Sequence, residues 1–271
     1  MKYYTKEWYE LMQKQQYTAG LQKIPDKTYS EQEIQAFYDA DLAAEVKRDE
    51  ELYHTPPNFD AYEAFSKRPP FDPAETVKCF ENCYKGRVRY GGYGYPRWVC
   101  DTVDQRLLAL HRIPESAYDR LRREEAENQT VFRRIMSEAE KDLDAQDIPE
   151  RIKTQFCFHD ACVLALKKNR ADMELYLRKD GGWPEGTTPY IKIIFKKTTN
   201  IEREKDFSIR IKTNAEGELI SSCQYLYDEL YRTNEGYEFH VLLSTPKSLR
   251  YLTICCEDII FLDNIEDRTI G

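Results

Sequence analysis

Gln-Phe-Cys-Phe-His-Asp, residues 155–160, marks the point where the hydrophobic pattern of this chain changes. Before it, apolar residues recur at the spacing of helices, between loops rich in proline. After it, they alternate with polar residues as in strands, and the connections are short enough to favour antiparallel pairing. The pattern therefore predicts an α+β fold, with an N-terminal helical region over 1–153 and a C-terminal antiparallel β domain over 154–271. The form of the sheet stays open: an open sheet, a sandwich or a partial barrel.

The helical region carries specific start and stop signals. Ser30 and Glu33 form a capping-box pattern, and Asp72 before Pro73 predicts a second helix start. Gly86 is the expected end of that second helix, because glycine readily adopts the left-handed conformation that ends helices. Apolar spacing predicts further helices over residues 6–12, 97–111 and 114–144.

Composition limits the classes of function. The 271 residues carry a net charge of −8, which opposes broad nucleic-acid binding because that binding draws its affinity from Lys and Arg. No run approaches the roughly 20 apolar residues that span a bilayer, and residues 1–16 lack the apolar core of a signal peptide. We therefore expect a cytoplasmic protein without a membrane partner, whose 8 cysteines are reduced thiols.

Short motifs along the chain carry a family resemblance. In chain order they are Met1–Tyr9, Asp104–Leu110, Phe158–Asp160, Leu226–Tyr231 and Gly236–Leu243. Together they resemble the bacterial family catalogued as domain of unknown function 4085, over most of the chain. The resemblance implies an uncharacterised bacterial cytosolic protein and says nothing about catalysis.

The hairpin around Asn234 predicts the best polar cluster. A tight turn or a four-residue loop there gives the same register, with Glu229 opposite His240 and Leu226 opposite Leu243. A carboxylate opposite an imidazole raises the pKa of the His and can orient it for proton transfer. The alternative, which we favour, is a cross-strand pair that only stabilises the ribbon.

His159 and Asp160 complete the candidate catalytic set. Adjacent His and Asp side chains can ligate a metal, and with Glu229 and His240 they would form a composite hydrolase site. On a regular strand the adjacent pair points to opposite faces, which favours a structural role in which Asp160 ends a ladder or caps a turn. Catalysis at this site is therefore an alternative hypothesis.

The cysteine spacing is a weak signal for zinc. Cys79 and Cys83 lie one helical turn apart, and Cys100 with His111 could complete a ligand set. Strong zinc motifs use two closely spaced ligand pairs, and only one is present here. We therefore expect core thiols, no metal site and no cofactor.

Residues 89–96 combine glycines with tyrosines, and arginines flank them. Basic and aromatic groups interleaved in this way can stack on bases, so a weak nucleic-acid binder through residues 85–98 is a third hypothesis. A structural or partner-binding loop is the expected role, and nucleic acid is not the expected partner. The aromatic residues predicted to contact a protein partner are Tyr90, Tyr93, Tyr95, Trp98, Tyr227 and Tyr231.

These features favour a non-enzymatic module that binds another protein. The chain is acidic and rich in tyrosine, which offers a large contact area at low entropic cost. Immunity to a toxin is one form of this hypothesis. The alternatives are the His/carboxylate hydrolase and the nucleic-acid binder.

Overall fold

A computed structural model describes most of the chain. It covers residues 1–55, 69–156, 158–179, 188–204, 209–214 and 217–266, without the side chains of Gly92 and Tyr93. Within those ranges, no helix is both long and apolar enough to cross a bilayer.

The chain forms two compact units. The sheet unit comprises Met1–Met12 with Val131–Gly271, and the helical unit comprises Gln13–Thr130. The N-terminal residues and the last part of the long helix thus belong with the strands. The division into a helical region over 1–153 and a β domain over 154–271 follows secondary structure and stays a prediction about domains.

The first half of the chain is mainly helical, as predicted. The helices, in chain order, are α1 (Lys6–Gln13), α2 (Glu31–His54), α3 (Pro73–Tyr90), α4 (Arg97–Thr102), α5 (Gln105–Ala109), α6 (Glu115–Asp144) and α7 (Glu150–Lys153). A 3₁₀ turn at Gly91–Gly94 follows α3. The sequence did not predict the short parallel pair of β1 (Gln22–Ile24) and β2 (Arg112–Pro114) in the helical unit.

Both predicted helix starts are confirmed. The Ser30 hydroxyl accepts a hydrogen bond from Glu33 N, and the Glu33 carboxylate accepts one from Ser30 N in return. At the start of α3, the Asp72 carboxylate accepts a hydrogen bond from Ala74 N at 2.9 Å, and Pro73 is the first helical residue. These caps depend on residues close in sequence, which is why the sequence alone reveals them.

Two predicted helix boundaries are wrong. Helix α3 continues through Gly86 to Tyr90, so this glycine is an interior residue and not a cap. The helix predicted over 97–111 is broken into α4 and α5, because Val103 is extended. Asp104 then starts α5 by accepting a hydrogen bond from Arg106 N at 2.9 Å.

An antiparallel sheet of eight strands dominates the sheet unit. Its order is β12-β5-β4-β3-β9-β10-β11-β6. The strands are β3 (Cys162–Asn169), β4 (Asp172–Arg178), β5 (Tyr190–Lys196), β6 (Asn200–Arg203), β9 (Gln224–Thr233), β10 (Gly236–Ser244), β11 (Leu249–Cys256) and β12 (Asp258–Asp263), and β7 (Ile211–Thr213) pairs separately with β8 (Leu219–Ser221). The α+β class with a C-terminal antiparallel sheet is confirmed, and in the described residues the sheet is open, with β12 and β6 at its ends.

The core of the sheet unit lies on one face of this sheet. Phe195, Phe239 and Ile254 are fully buried there, and Ile148 and Ile152, from the segment around α7, cover them. The hydrophobic effect of burying these side chains stabilises the sheet.

The predicted hairpin register is correct near the turn and wrong farther away. Glu229 pairs with His240 as predicted. Leu243, however, pairs with Tyr225 and not with Leu226, because the register shifts between Leu242 and Leu243. A bulge places an extra residue in one strand, and alternation of the pattern alone does not reveal it.

Candidate functional site

Strand β9 carries most of the predicted site residues and is bonded differently along its two edges. Its edge toward β10 is paired along almost the whole strand. Toward β3 its ladder is limited to the pair of Cys162 with Gln224, next to a hydrogen bond of 2.8 Å from Asp160 N to Tyr225 O. The edge of β9 over residues 226–231 is therefore not covered by β3.

Glu229 holds the N-terminal segment of the chain. Its carboxylate accepts hydrogen bonds from the backbone N–H groups of Lys2, Tyr3 and Tyr4 at 2.6, 2.7 and 2.6 Å. The Tyr231 hydroxyl donates a fourth at 2.6 Å. Consecutive backbone N–H groups of this kind form a small anion-binding concavity. Glu229 is only 6% exposed, and its contacts are structural.

His240 lies beside Glu229 in the ladder but is hydrogen-bonded to other residues. Its Nε2 is 2.9 Å from Glu238 Oε1, and its Nδ1 is 2.9 Å from Thr253 Oγ1. Burial lowers the pKa of His240, and the nearby carboxylates of Glu238 and Glu229 oppose this effect without reversing it. The facing carboxylate of Glu229 thus acts in the expected direction, but the net shift of the His240 pKa is downward because burial and the N-terminal ammonium outweigh it.

His159 and Asp160 form a turn before β3. Asp160 has a φ of 67°, in the left-handed region, so the pair does not follow the alternation of a strand. The two side chains do not point to opposite faces as expected, since His159 Nδ1 is 2.7 Å from Asp160 Oδ2. The His159 ring also packs on Tyr227, with ring centroids 4.6 Å apart.

A cavity of about 360 Å³ follows the uncovered edge of β9, and we call it the β9-edge cleft. It lies within the sheet unit. Its walls include Tyr4, Leu143, Gln146, Lys153, Phe156, Phe158, His159 and Leu226–Tyr231. Charged side chains, among them Glu140 and Asp142, also line it, and a concave site with aromatic walls and convergent polar groups is the usual form of a binding site.

Gln146 of the chain after α6 closes one end of this edge. Its side-chain Oε1 accepts a hydrogen bond from Arg232 N at 2.6 Å, and its Nε2 donates to Leu230 O at 3.3 Å. The carboxamide therefore makes the pair of hydrogen bonds that the N–H and C=O of one residue in a neighbouring parallel strand would make.

Asp228 is the titratable residue of the cleft that the sequence did not single out. It pairs with the core residue Val241, so its side chain lies on the apolar face of the sheet. Burial raises the pKa of Asp228 from 3.8 to about 7, and the nearby Tyr225 hydroxyl partly opposes the rise. That hydroxyl is itself fully buried, and its contact with Asp228 lacks the geometry of a well-formed hydrogen bond. An acidic residue among apolar neighbours in β9 is the signal that could have identified it.

The four candidate catalytic residues form two separate pairs. His159 contacts Asp160, and Glu229 pairs with His240 across the ladder. His159 and Glu229 both line the β9-edge cleft. In the described parts of the chain, no three His, Cys, Asp or Glu side chains are grouped so that they could hold a metal ion. The composite hydrolase site remains an untested hypothesis.

The aromatic residues predicted for partner binding lie in both units. In the sheet unit, Tyr227 packs against Trp8 and Tyr4, with ring centroids 4.7 and 5.6 Å away, and it lines the cleft together with Tyr231. Trp8 is 2% exposed, so this contact anchors the N-terminal segment a second time.

The aromatic residues of the segment 89–96 and its flank belong to the helical unit. Trp98 donates a hydrogen bond from Nε1 to Glu124 Oε1 at 3.0 Å, and Tyr95 packs on the core of that unit. Tyr90 is 52% exposed, whereas the side chain of Tyr93 lies outside the described residues. The segment is the end of α3 followed by a 3₁₀ turn, so it is more ordered than the expected loop.

The cysteine prediction needs one correction. Cys79 and Cys83 are exposed on α3, so they are not core thiols. They lie one helical turn apart, and a hydrogen bond between the two side chains raises the pKa of Cys79. In the apolar strand β11, by contrast, Cys256 is buried.

The fold and the cleft define the class of this protein, an α+β protein with an open antiparallel sheet. The sequence model of a family described as protein of unknown function, DUF4085, matches residues 117–256. This match covers slightly more than half of the chain, and the chain belongs to that family. No curated protein and no solved structure matches the chain.

Proposed function

We propose that this protein is a non-enzymatic binding module, which takes a protein partner in the β9-edge cleft. The observation that carries the proposal is the bonding of Glu229, a carboxylate of the candidate catalytic set. All four of its hydrogen bonds come from the chain itself. A general base needs a lone pair directed at a substrate, and these lone pairs are directed at the N-terminal segment.

The surroundings of the cleft support binding of another protein. Aromatic rings form part of its walls, among them those of Phe156, Phe158 and Tyr227. Such rings contribute much of the binding energy in protein interfaces. A bacterial, cytoplasmic setting and an immunity-like role against a toxin are the finer form of this proposal.

A capture experiment with a charge reversal in the cleft tests the proposal. Lys153 lines the cleft, and Lys212 of β7 is an exposed lysine of the same unit outside it. We expect the wild-type protein and Lys212→Glu to retain the same partner from a native lysate, and Lys153→Glu to lose it. Mass spectrometry of the retained proteins provides the measurement.

Two results would contradict the proposal. One is a partner that Lys153→Glu retains as well as the wild-type protein does, because the cleft would then not be the contact. The other is hydrolytic activity that Glu229→Gln abolishes while the variant stays folded, which would favour the hydrolase hypothesis.

A further inference from the structure

The backbone edge of β9 is open between two hydrogen-bonded ends. At one end, Tyr225 O accepts a hydrogen bond from Asp160 N at 2.8 Å. At the other end, the Gln146 carboxamide is bonded to Arg232 N and Leu230 O. The strand therefore has partners on this side before and after the cleft.

Between these ends, three backbone groups face the cleft. In a strand, the N–H and C=O of one residue point to the same side, and neighbouring residues point to opposite sides. Because Leu230 O and Arg232 N face Gln146, the N–H and C=O of Asp228 and the N–H of Leu230 face that side too. Among the described residues, nothing is hydrogen-bonded to these three groups.

The contacts of the Gln146 side chain indicate which hydrogen-bonding groups can bind to this edge of β9. A carboxamide carries an N–H donor and a C=O acceptor, and here it bonds to a carbonyl and an N–H two residues apart, as the N–H and C=O of one residue in a parallel strand do. The same pattern of donors and acceptors continues at Asp228 along the cleft.

We propose that an extended segment of a partner protein adds to the β9 edge as a short strand within the cleft. This inference rests on the proposed function and names its mode of recognition, β-strand addition. Main-chain hydrogen bonds to Asp228 and Leu230 supply the register.

The walls of the cleft define the side chains of the segment. Successive side chains of an added strand point to opposite faces of the sheet. On one face they meet Phe156, Phe158 and Leu143, which pack with the sheet core, and on the other they meet Tyr4 and Tyr227. The partner segment is therefore a short run of apolar or aromatic residues, with room for a few side chains in about 360 Å³.

Backbone-directed variants of the full-length protein test this mode of binding. The probe is a set of short linear peptides selected from a displayed random library against the wild-type protein. Asp228→Pro removes the N–H that faces the cleft and leaves the bonds to β10 in place, whereas Asp228→Ala keeps that N–H. We expect Asp228→Pro to weaken binding of the selected peptides at least about tenfold, and Asp228→Ala to change it less than about threefold.

A second measurement keeps the proposal testable if Asp228→Pro fails to fold. Methylation of single backbone nitrogens of a selected peptide should weaken its binding to the wild-type protein only at alternate positions. No selected peptide, equal binding to Asp228→Pro, or no alternation would overturn the proposal. A dimer of this chain that Asp228→Pro dissociates would also overturn it, since the occupant would be a second copy.

The failure of this inference can be separated from the failure of the proposed function. If a captured partner is lost with Lys153→Glu but binds Asp228→Pro as well as the wild type, the cleft binds protein by another mode. If binding of no captured partner depends on the cleft, the proposed function and the strand-addition inference both fail.

Discussion

The structure gives Glu229 a different role from the one that the sequence indicates. In the sequence it is a carboxylate opposite a histidine; in the structure it accepts hydrogen bonds from three successive backbone N–H groups. A buried carboxylate is costly to desolvate, and these charge-assisted bonds compensate for that cost. Glu125 has a similar role in the helical unit, where it is 2% exposed and accepts hydrogen bonds from Thr18 N and Thr18 Oγ1 at 2.5 and 2.8 Å.

Replacing this carboxylate by an amide tests its anchoring role. In Glu229→Gln, the new NH₂ group faces donors, so we expect a loss of about 2–4 kcal/mol in the free energy of unfolding. Faster hydrogen exchange at the amides of Lys2, Tyr3 and Tyr4 should accompany it. Chemical unfolding and exchange detected by mass spectrometry provide the measurements.

The control for this change is the same substitution one strand away. Glu238 is 40% exposed and pairs with His240, so Glu238→Gln should cost less than about 1 kcal/mol. Equal losses in the two variants, with unchanged exchange of the N-terminal amides, would contradict an anchoring role for Glu229.

At the scale of elements, β9 of the β9–β10 hairpin is paired with β10 along one edge, and its opposite edge is open along the cleft. Its two-residue turn places Thr233 opposite Gly236, and the next strand approaches the turn closely. Gly236 has a φ of 140°, and a Cβ atom there would lie 2.1 Å from Cys256 O. Only glycine fits such a close approach of two backbones.

Gly236→Ala should therefore destabilise the hairpin severely. We expect a loss of at least about 2 kcal/mol, since both the strained φ and the clash with backbone atoms contribute. Thermal or chemical unfolding followed by circular dichroism gives the measurement.

Gly86→Ala provides a matched control with the opposite sign. Gly86 is interior to α3, and a Cβ there would meet nothing within 4 Å. Alanine should stabilise the helix by about 0.5–1 kcal/mol. If Gly86 were the left-handed helix end that the sequence favours, the same change would destabilise the protein instead.

At the scale of the whole molecule, Asp228 couples stability to pH. Its pKa is raised by burial to about 7, and the charge of Glu229 adds to the rise. Glu140, Asp142, Lys153 and His159 are further charged or titratable side chains that line the cleft, together with its tyrosines. A raised pKa means that the folded state holds its proton to a higher pH than the unfolded state does.

The sign of the pH dependence follows from this difference. Below about pH 4, Asp228 is protonated in both the folded and the unfolded state. Its contribution to the free energy of unfolding is therefore fully present there. Between about pH 4 and 7 the unfolded state loses its proton first, and the free energy of unfolding falls by up to about 4 kcal/mol. Above about pH 7 the Asp228 carboxyl is ionised in both states. Its contribution is then lost, and it no longer makes the free energy of unfolding depend on pH.

Asp228→Asn isolates this contribution. We expect the difference in unfolding free energy, wild type minus variant, to fall with rising pH up to about 7 and then to level off. The variant should be the more stable protein at pH values above that range. Urea unfolding across the range checks this, and a difference that does not vary with pH would show that Asp228 is not desolvated.

Much of the fold could be predicted because its signals are local. Ser30 with Glu33 and Asp72 with Pro73 start helices through contacts within three residues, and the turn at Asn234 sets the nearby pairing of Glu229 with His240. The change of hydrophobic period near residue 155 determined the α+β class, since spacing decides which face of an element is apolar. The sequence itself also determined membership of the family, which the match over residues 117–256 shows; the motifs Met1–Tyr9 and Asp104–Leu110 lie outside that match.

Only the tertiary structure decided what the site residues do. Glu229 meets the backbone of Lys2, 227 residues away, and Gln146 meets Arg232 across 86 residues. Spacing along the chain contains no information about such contacts, because they depend on which strands become neighbours and where a ladder stops. The limited pairing of β3 with β9 is such a stop, and it is what creates the open edge and the cleft.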